Sequence, residues 1–270
     1  MAKIRIDTLL VNRGLTPSRE KARALILAGE VRVNGRVIDK AGTSVDEDEQ
    51  VEIKTDSLKY VSRGGLKLEG AIRDFNLDFT GRTVLDVGAS TGGYTDCALQ
   101  HGAARVFALD VGYGQLDWSL RNNPRVVVME RTNIRYVTPE QIGKLVDIIT
   151  IDVSFISTAK VFPAVKNLLQ DSGEVVSLIK PQFEAGRNKV GKKGVIKDPL
   201  VHNEVLLNCI SYAEREGLVI AGITYSPIKG PEGNIEFFLY MKKNGERLHN
   251  IPELVSRVVD NAHKNLEVRS

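Results

Sequence analysis

Cysteine is scarce in this chain, which carries only Cys97 and Cys209. They lie far apart in sequence, each inside a helical pattern and without a ligand-like neighbour. A disulfide framework or a cysteine metal site is therefore not expected, and both read as buried thiols. No metal site is expected elsewhere. No apolar run approaches the roughly 20 residues of a membrane span, so no membrane partner is expected. The opening "MAKIRIDTLL" is too short and too charged for a secretory h-region, and a cytoplasmic protein follows as the expectation. Internal repeats and low-complexity tracts are missing too, which excludes solenoids and disordered arrays.

What remains is a chain of 270 residues with an ordinary apolar share, 42%, long enough for a sizeable core. Its net charge is only +3, but unevenly spread. Residues 1–40 hold nine basic residues against four acidic ones, so the remainder is slightly negative. A basic N-terminal segment points to an anionic partner, or to a solvated helix face.

Two helical patterns open the chain. "RIDTLLVNRG" sets Ile6, Leu9 and Leu10 on one face. "SREKARALILAGE" has Ser18 as a candidate N-cap, Gly29 as a candidate C-cap and an apolar stripe of Ala22, Leu25 and Ile26. "VRVNGRVI" alternates around Asn34-Gly35, a hairpin signal, and "VEIK" adds a short strand. The acidic run Asp46 to Glu49 between them reads as a loop. The stretch "SREKARALILAGEVRVNGRVI" resembles the small α+β RNA-binding module of a ribosomal small-subunit protein, pseudouridine synthases and tyrosyl-tRNA synthetases. That resemblance implies RNA contacts by Arg5, Arg19, Lys21, Arg23 and Arg32. Such contacts fall on phosphates and position RNA without reading its sequence.

The expected organisation is a small domain over 1–57, a linker over 58–63 and a larger domain over 64–270. In the larger domain "GGLKLEGAIRDF" is an amphipathic helix with Leu66, Ile72 and Phe75 inward. "TVLDVG", "RVFALDVG", "RVVVME", "VDIITIDVS" and "GEVVSLIKP" then alternate with helical stretches, the pattern of a parallel sheet covered on both faces. "LVIAGITYSP" and "NIEFFLYMK" read as an antiparallel pair. This α/β outline, a mostly parallel sheet with an antiparallel edge, resembles the class I (Rossmann-like) methyltransferase fold.

The turn after the first strand of that sheet, Gly88-Ala-Ser90-Thr-Gly92-Gly93, lies where doubly wound sheets bind ligands. Serine replaces the middle glycine of a dinucleotide fingerprint, and no G-K-[ST] follows for a phosphate loop. Asp86, just before the turn, suits a cationic ligand such as S-adenosylmethionine better than a pyrophosphate. It is otherwise a helix cap. Asp110, 22 positions after Gly88, is placed to accept from ribose hydroxyls. The expected cofactor set is Asp86, Gly88, Ser90, Gly92, Gly93 and Asp110.

Three apolar strands also carry charge at their ends: Asp152, Lys180 and Glu236. Buried charge is rare unless paired or functional. With Lys67 these residues match, in order and context, the K-D-K-E tetrad of FtsJ-type ribose 2′-O-methyltransferases. "VSRGGLKLEGA", "LDVGASTGGYTDC", "TIDVSFIS" and "KPQFEAG" resemble the TlyA family, often labelled hemolysin A, over nearly the full chain. One family tetrapeptide, Arg-x-Trp-Val, reads here Leu58-Lys59-Tyr60-Val61.

The resemblance implies an S-adenosylmethionine-dependent enzyme that methylates cytidine 2′-hydroxyls in rRNA, 23S and for some members also 16S. The implied partners are rRNA or ribosomal subunits. Lys180 is then the candidate base or oxyanion stabiliser, Asp152 and Glu236 orient the lysines, and Lys67 holds the nucleophile oxygen or a phosphate. The loop "PQFEAGRNKVGKKGVIKD", with Arg187, Lys192 and Lys193, is expected to be a mobile lid or RNA clamp. Weighed against this are an rRNA-binding or ribosome-assembly protein with a vestigial cofactor site, a membrane-active hemolysin, a pseudouridine synthase and an NAD-linked oxidoreductase. The last is disfavoured by Ser90.

Overall fold

The computed structural model describes residues 3–16, 18–27, 29–53, 59–191, 194–230 and 232–267. They fall into two compact units that meet between Lys59 and Tyr60.

The N-terminal unit runs β1 (Lys3–Arg5), α1 (Ile6–Asn12), α2 (Arg19–Leu27), β2 (Val31–Val33), β3 (Arg36–Ile38), β4 (Ser44–Asp46) and β5 (Val51–Ile53). Ser18 caps α2 through the Lys21 amide, and Gly29 ends it with φ +71°. Asn34 and Gly35, both at positive φ, turn the β2–β3 hairpin, as their side chains permit. β5 joins β2 on its other edge. Ile6, Leu9, Leu10, Ala22, Ile26 and Val31 form the small core. The acidic run is not wholly loop: Asp46 closes β4, which pairs with β1. A three-residue strand opening on a charged stretch has too weak a pattern to read beforehand.

At the heart of this unit Asp7 is fully buried, and the guanidinium groups of Arg5 and Arg19 reach it at 3.0 and 2.9 Å. Those bonds hold its carboxyl well below the usual carboxylate range. Two of the arginines expected to face RNA are thus also structural cations. Lys21 is half-buried, while Arg23 and Arg32 are exposed.

The second unit contains α3 (Gly64–Phe75), β6 (Thr83–Val87), α4 (Gly93–Gln100), β7 (Arg105–Leu109), α5 (Trp118–Arg121), β8 (Val126–Met129), α6 (Pro139–Ile142) and β9 (Val146–Ile151). It continues with α7 (Phe162–Leu168), β10 (Leu169–Ile179), α8 (Pro181–Glu184), α9 (Pro199–Arg215), β11 (Val219–Tyr225), β12 (Phe237–Lys242) and α10 (Ile251–Glu267). The strands form one seven-stranded sheet in the order β11-β12-β10-β9-β6-β7-β8. β8, β7, β6, β9 and β10 are parallel, and β12 is antiparallel to both β10 and β11.

Strand order reverses between β6 and β9, so a crevice opens at their carboxyl ends. Alternating strand residues feed two cores. Leu85, Ile149, Val175 and Phe237 face α7, α9 and α10, whereas Val84, Ile148, Val176 and Phe238 face α3, α4 and α5. The fully buried side of α3 is Leu68 and Ala71, with Leu66 and Phe75 only at its margin. Cys97 and Cys209 are buried on α4 and α9 and form no disulfide.

Tyr60, at the start of this unit, is packed so tightly on α3 that a Cβ at Gly65 would lie 2.2 Å from its ring. The Val61 amide donates to Asp96 on α4. The end of the expected linker is therefore docked, while Leu58 lies outside the described residues.

Asp7→Ala should leave two cations without their buried acceptor. Amide hydrogen exchange across residues 3–53 is expected to speed 10- to 100-fold, about 1–3 kcal/mol, with residues 60–267 unaffected.

Candidate active site

The period-two geometry of the strands decides which side chains can meet. Asp86, Thr150, Asp152, Lys180 and Glu236 all share parity with the residues facing α3 and α4. Asp152 and Lys180 follow the carboxyl ends of parallel β9 and β10. Glu236 precedes antiparallel β12, whose first residue Phe237 lies opposite Ile179. All three therefore reach the same sheet edge.

There the four expected ionisable residues form two ion pairs. Lys67 Nζ donates to Glu236 Oε2 at 2.6 Å, both groups nearly inaccessible to water. Lys180 Nζ lies 2.6 Å from Asp152 Oδ1 and donates to Ser154 Oγ at 2.9 Å. The second pair is more open than the first. The other oxygen of Glu236 has room only because residue 230 is glycine, where a Cβ would stand 2.6 Å from it.

The glycines of the turn also allow close approaches within the protein. Gly88, at φ +89°, lets its backbone pass the Asp152 carbonyl, which a Cβ would meet at 2.4 Å. Gly92, at φ +97°, makes room for Leu116 and Leu120, and Gly93 for Ser62 and Gly65. The missing side chains thus admit protein. Only the backbone of the turn is left for a ligand.

Ser90 takes φ +49°, and its amide donates to Asp110 Oδ2 at 2.8 Å. The Gly112 amide donates to Asp110 Oδ1 at 2.7 Å. These bonds hold the Asp110 carboxylate at the end of β7, beside the exposed side chains of Val111 and Tyr113.

Asp86 calls for a correction. Its carboxyl is buried, with Oδ2 accepting from Thr95 Oγ1 at 2.7 Å and Oδ1 from Thr150 Oγ1 at 3.1 Å. It ties β6 to the first turn of α4 and to β9 and does not open onto the crevice. Burial, partly opposed by the threonine hydroxyls, pushes its pKa up to about 7.

Sequence reasoning missed Tyr94, Thr95, Thr150 and Ser154. Tyr94 immediately follows the glycine pair, but nothing in the sequence says that its ring turns toward the sheet. Ser154 lies two residues beyond Asp152, in a segment with no periodic pattern.

The loop after Lys180 is more anchored than expected. Glu184 accepts from Ser157 Oγ and the Thr158 amide, both at 2.7 Å. Buried Asn234 bonds the Ile196 amide and the Gly194 carbonyl, each at 2.9 Å, and Lys189 pairs with Glu204. Of the basic residues expected there, Lys192 and Lys193 lie outside the described residues. Arg187 begins a single 3₁₀ turn, Arg187–Lys189.

A strand-end crevice at the switch point, a glycine turn flanked by carboxylates and a lysine–carboxylate tetrad beside it define a class I methyltransferase. Residues 60–243 match the FtsJ-like methyltransferase family model, and residues 4–51 match the S4 domain. The chain belongs to the TlyA family. It is 47% identical over 246 residues to the 16S/23S rRNA (cytidine-2′-O)-methyltransferase TlyA of Mycobacterium tuberculosis, covering 91% of this chain and 92% of that one.

YqxC of Bacillus subtilis, provisionally named an rRNA methyltransferase, is 49% identical over 269 residues, 98% of this chain and 96% of the relative. A solved structure from Streptococcus thermophilus, of a protein provisionally named a hemolysin, superposes with a TM-score of 0.80 at 42% identity. It covers 100% of this chain and 98% of that one. Among the described residues no helix is long and apolar enough to cross a membrane.

Family and fold imply use of S-adenosylmethionine, and the residues present suit it. Residues 86–96 include no basic side chain, while Asp110 and Asp152 supply negative charge. A cationic ligand is favoured there and a pyrophosphate is not. A carboxylate acceptor beside exposed apolar side chains, as at Asp110, is matched to the hydroxyls and base of a nucleoside.

Asp86 supplies a pH test. The folded protein keeps its proton to about pH 7, whereas an aspartate in the unfolded chain loses it at about pH 4. Its cost to stability therefore grows as pH rises through that window and is complete above it. Asp86→Asn should remove this dependence, so the Tm difference in the variant's favour should widen from pH 4 to pH 7. A pH-independent difference would contradict the assignment.

Proposed function

We propose that this protein is a cytoplasmic enzyme that transfers a methyl group from S-adenosylmethionine to the 2′-hydroxyl of a cytidine in rRNA, acting on ribosomal subunits. The observation that carries the reading is the meeting of Lys67, Asp152, Lys180 and Glu236 at one sheet edge beside the glycine turn. A ribose hydroxyl is a weak nucleophile at neutral pH and must lose its proton as it attacks. The chemistry demands a cation or base at the oxygen, fixed from behind by groups of opposite charge.

Lys180 is the better placed of the two lysines. Its ammonium has three donors, of which Ser154 takes one and Asp152 faces another, leaving one for the 2′-oxygen. Lys67 is deeper and paired with Glu236, which suits it to set the local field. Asp110 would accept from the cofactor's ribose hydroxyls, and the backbone of residues 88–93 would hold its amino-acid end. Bound there, the cofactor supplies a methyl group on a positively charged sulfur. Asp86 would contribute by fixing the turn. The N-terminal unit, with Lys21, Arg23 and Arg32 beside the Arg5–Asp7–Arg19 cluster, would bind RNA phosphates.

Labelled methyl transfer to intact subunits from a strain lacking this gene, followed by mapping of the modified ribose, tests the reading. Modification of one cytidine 2′-oxygen is expected. Subunit binding without transfer would make the protein an assembly factor. Lys180→Ala should cut transfer at least 100-fold while S-adenosylmethionine affinity, read by calorimetry, changes less than threefold.

Charge reversal at Arg23 and Arg32 together should weaken rRNA binding across all sequences. It should also lower the salt slope by about 2, read from affinities at several salt concentrations.

A further inference from the structure

Tyr94 lies on the first turn of α4, its side chain 4% exposed and its ring against α3, where a Cβ at Gly64 would lie 3.6 Å from Cδ1. Among the described residues its hydroxyl has no hydrogen-bond partner. A buried phenol left unpaired costs free energy comparable to a lost hydrogen bond, so its persistence calls for a use.

Its neighbours suggest one. Burial, then the negative charges of Asp152, Glu236 and Asp86 in that order, push the phenol far above its ordinary range, so it remains a neutral donor at any working pH. Asp152 Oδ1 is another buried atom without a hydrogen bond among the described residues. Lys180 Nζ lies 2.6 Å from it, but as an ion pair whose angles do not make a hydrogen bond. One unused donor and one unused acceptor thus lie on the same face of the sheet.

We propose that Tyr94 is a positioning residue of the tetrad, whose hydroxyl donates to Asp152 Oδ1 when Lys180 turns from that carboxylate to the ribose 2′-oxygen. The inference rests on the methyl-transfer reading above. Lys180 cannot leave Asp152 cheaply, because a carboxylate stripped of its cation in a nearly closed site is costly. A neutral phenol donating to it would lower that cost without adding a charge that would compete for the nucleophile. It also keeps Asp152 aimed at Lys180 for the return of the lysine. The sequence places the device economically, since the helical turn whose Thr95 bonds Asp86 also carries Tyr94.

Tyr94→Phe keeps the ring, and with it the packing on Gly64, while removing the hydroxyl. Steady-state methyl transfer to ribosomal subunits should show kcat reduced about tenfold, with KM for the subunit and Kd for S-adenosylmethionine within twofold of the unaltered protein. A kcat within twofold, or a loss confined to KM or Kd, would overturn the inference.

A second measurement does not depend on turnover. In protein labelled with [¹³Cζ]tyrosine, the Tyr94 resonance, assigned from the Tyr94→Phe spectrum, should move downfield in Lys180→Met, where Asp152 has lost its cation. An unmoved resonance would overturn the inference even if the enzyme is active. If the unaltered protein transfers no methyl group to rRNA, the proposed function fails, and this resonance still decides the role of Tyr94.

Discussion

An ammonium and a carboxylate 169 residues apart in the chain meet at 2.6 Å with almost no water around them, where Lys67 on α3 faces Glu236 at the head of β12. Removing two charges from water costs several kcal/mol each, and only close pairing returns most of it. The pair is therefore poor value as a source of stability, and strong as a constraint. It requires α3 to lie over the antiparallel edge of the sheet and β12 to enter from the end where the parallel strands finish. Once those conditions hold, Asp152 and Lys180 are neighbours because β9 and β10 are neighbours. The tetrad is a consequence of how the sheet edge is built.

The glycine turn carries a related lesson about close approach. Gly88 lets the end of β6 run against the Asp152 carbonyl, so the turn and the tetrad are in backbone contact. Gly92 and Gly93 bring α4 down onto Leu116, Leu120, Ser62 and Gly65. The turn is then locked by two carboxylates, Asp86 held by its two threonines and Asp110 held by two amides. Such rigidity suits methyl transfer, in which the reacting carbon and oxygen must be held in line and little can be gained by later adjustment.

In the N-terminal unit the balance between structure and binding is drawn around Asp7. A fully buried carboxylate among arginines neutralises part of a basic face, yet it also fixes where those cations stand. A phosphate approaching Arg5 or Arg19 meets side chains already ordered, so less rotamer entropy remains to be lost on binding. Arg23 and Arg32, which are exposed, supply charge without that preparation.

Much of this was legible in the chain itself. Alternating strands and helices, the Asn34-Gly35 hairpin, the Ser18 and Gly29 helix ends and the charges ending apolar strands are local signals. Each follows from backbone sterics or from the period of a helix or strand, and each is found in the structure. The meeting of Lys67, Asp152, Lys180 and Glu236 was foreseen from strand order and resemblance. Their division into Lys67–Glu236 and Lys180–Asp152 was not, because pairing depends on distances of a few ångströms between separate elements.

The direction of Asp86 into the protein, the use of three glycines for packing and the unpaired hydroxyl of Tyr94 likewise appeared only with the tertiary structure. Sequence determines which residue types stand at a strand end or a turn, since those preferences are local. Which neighbour a side chain finds there is decided by helices and strands packed from elsewhere in the chain, and no local pattern carries that information.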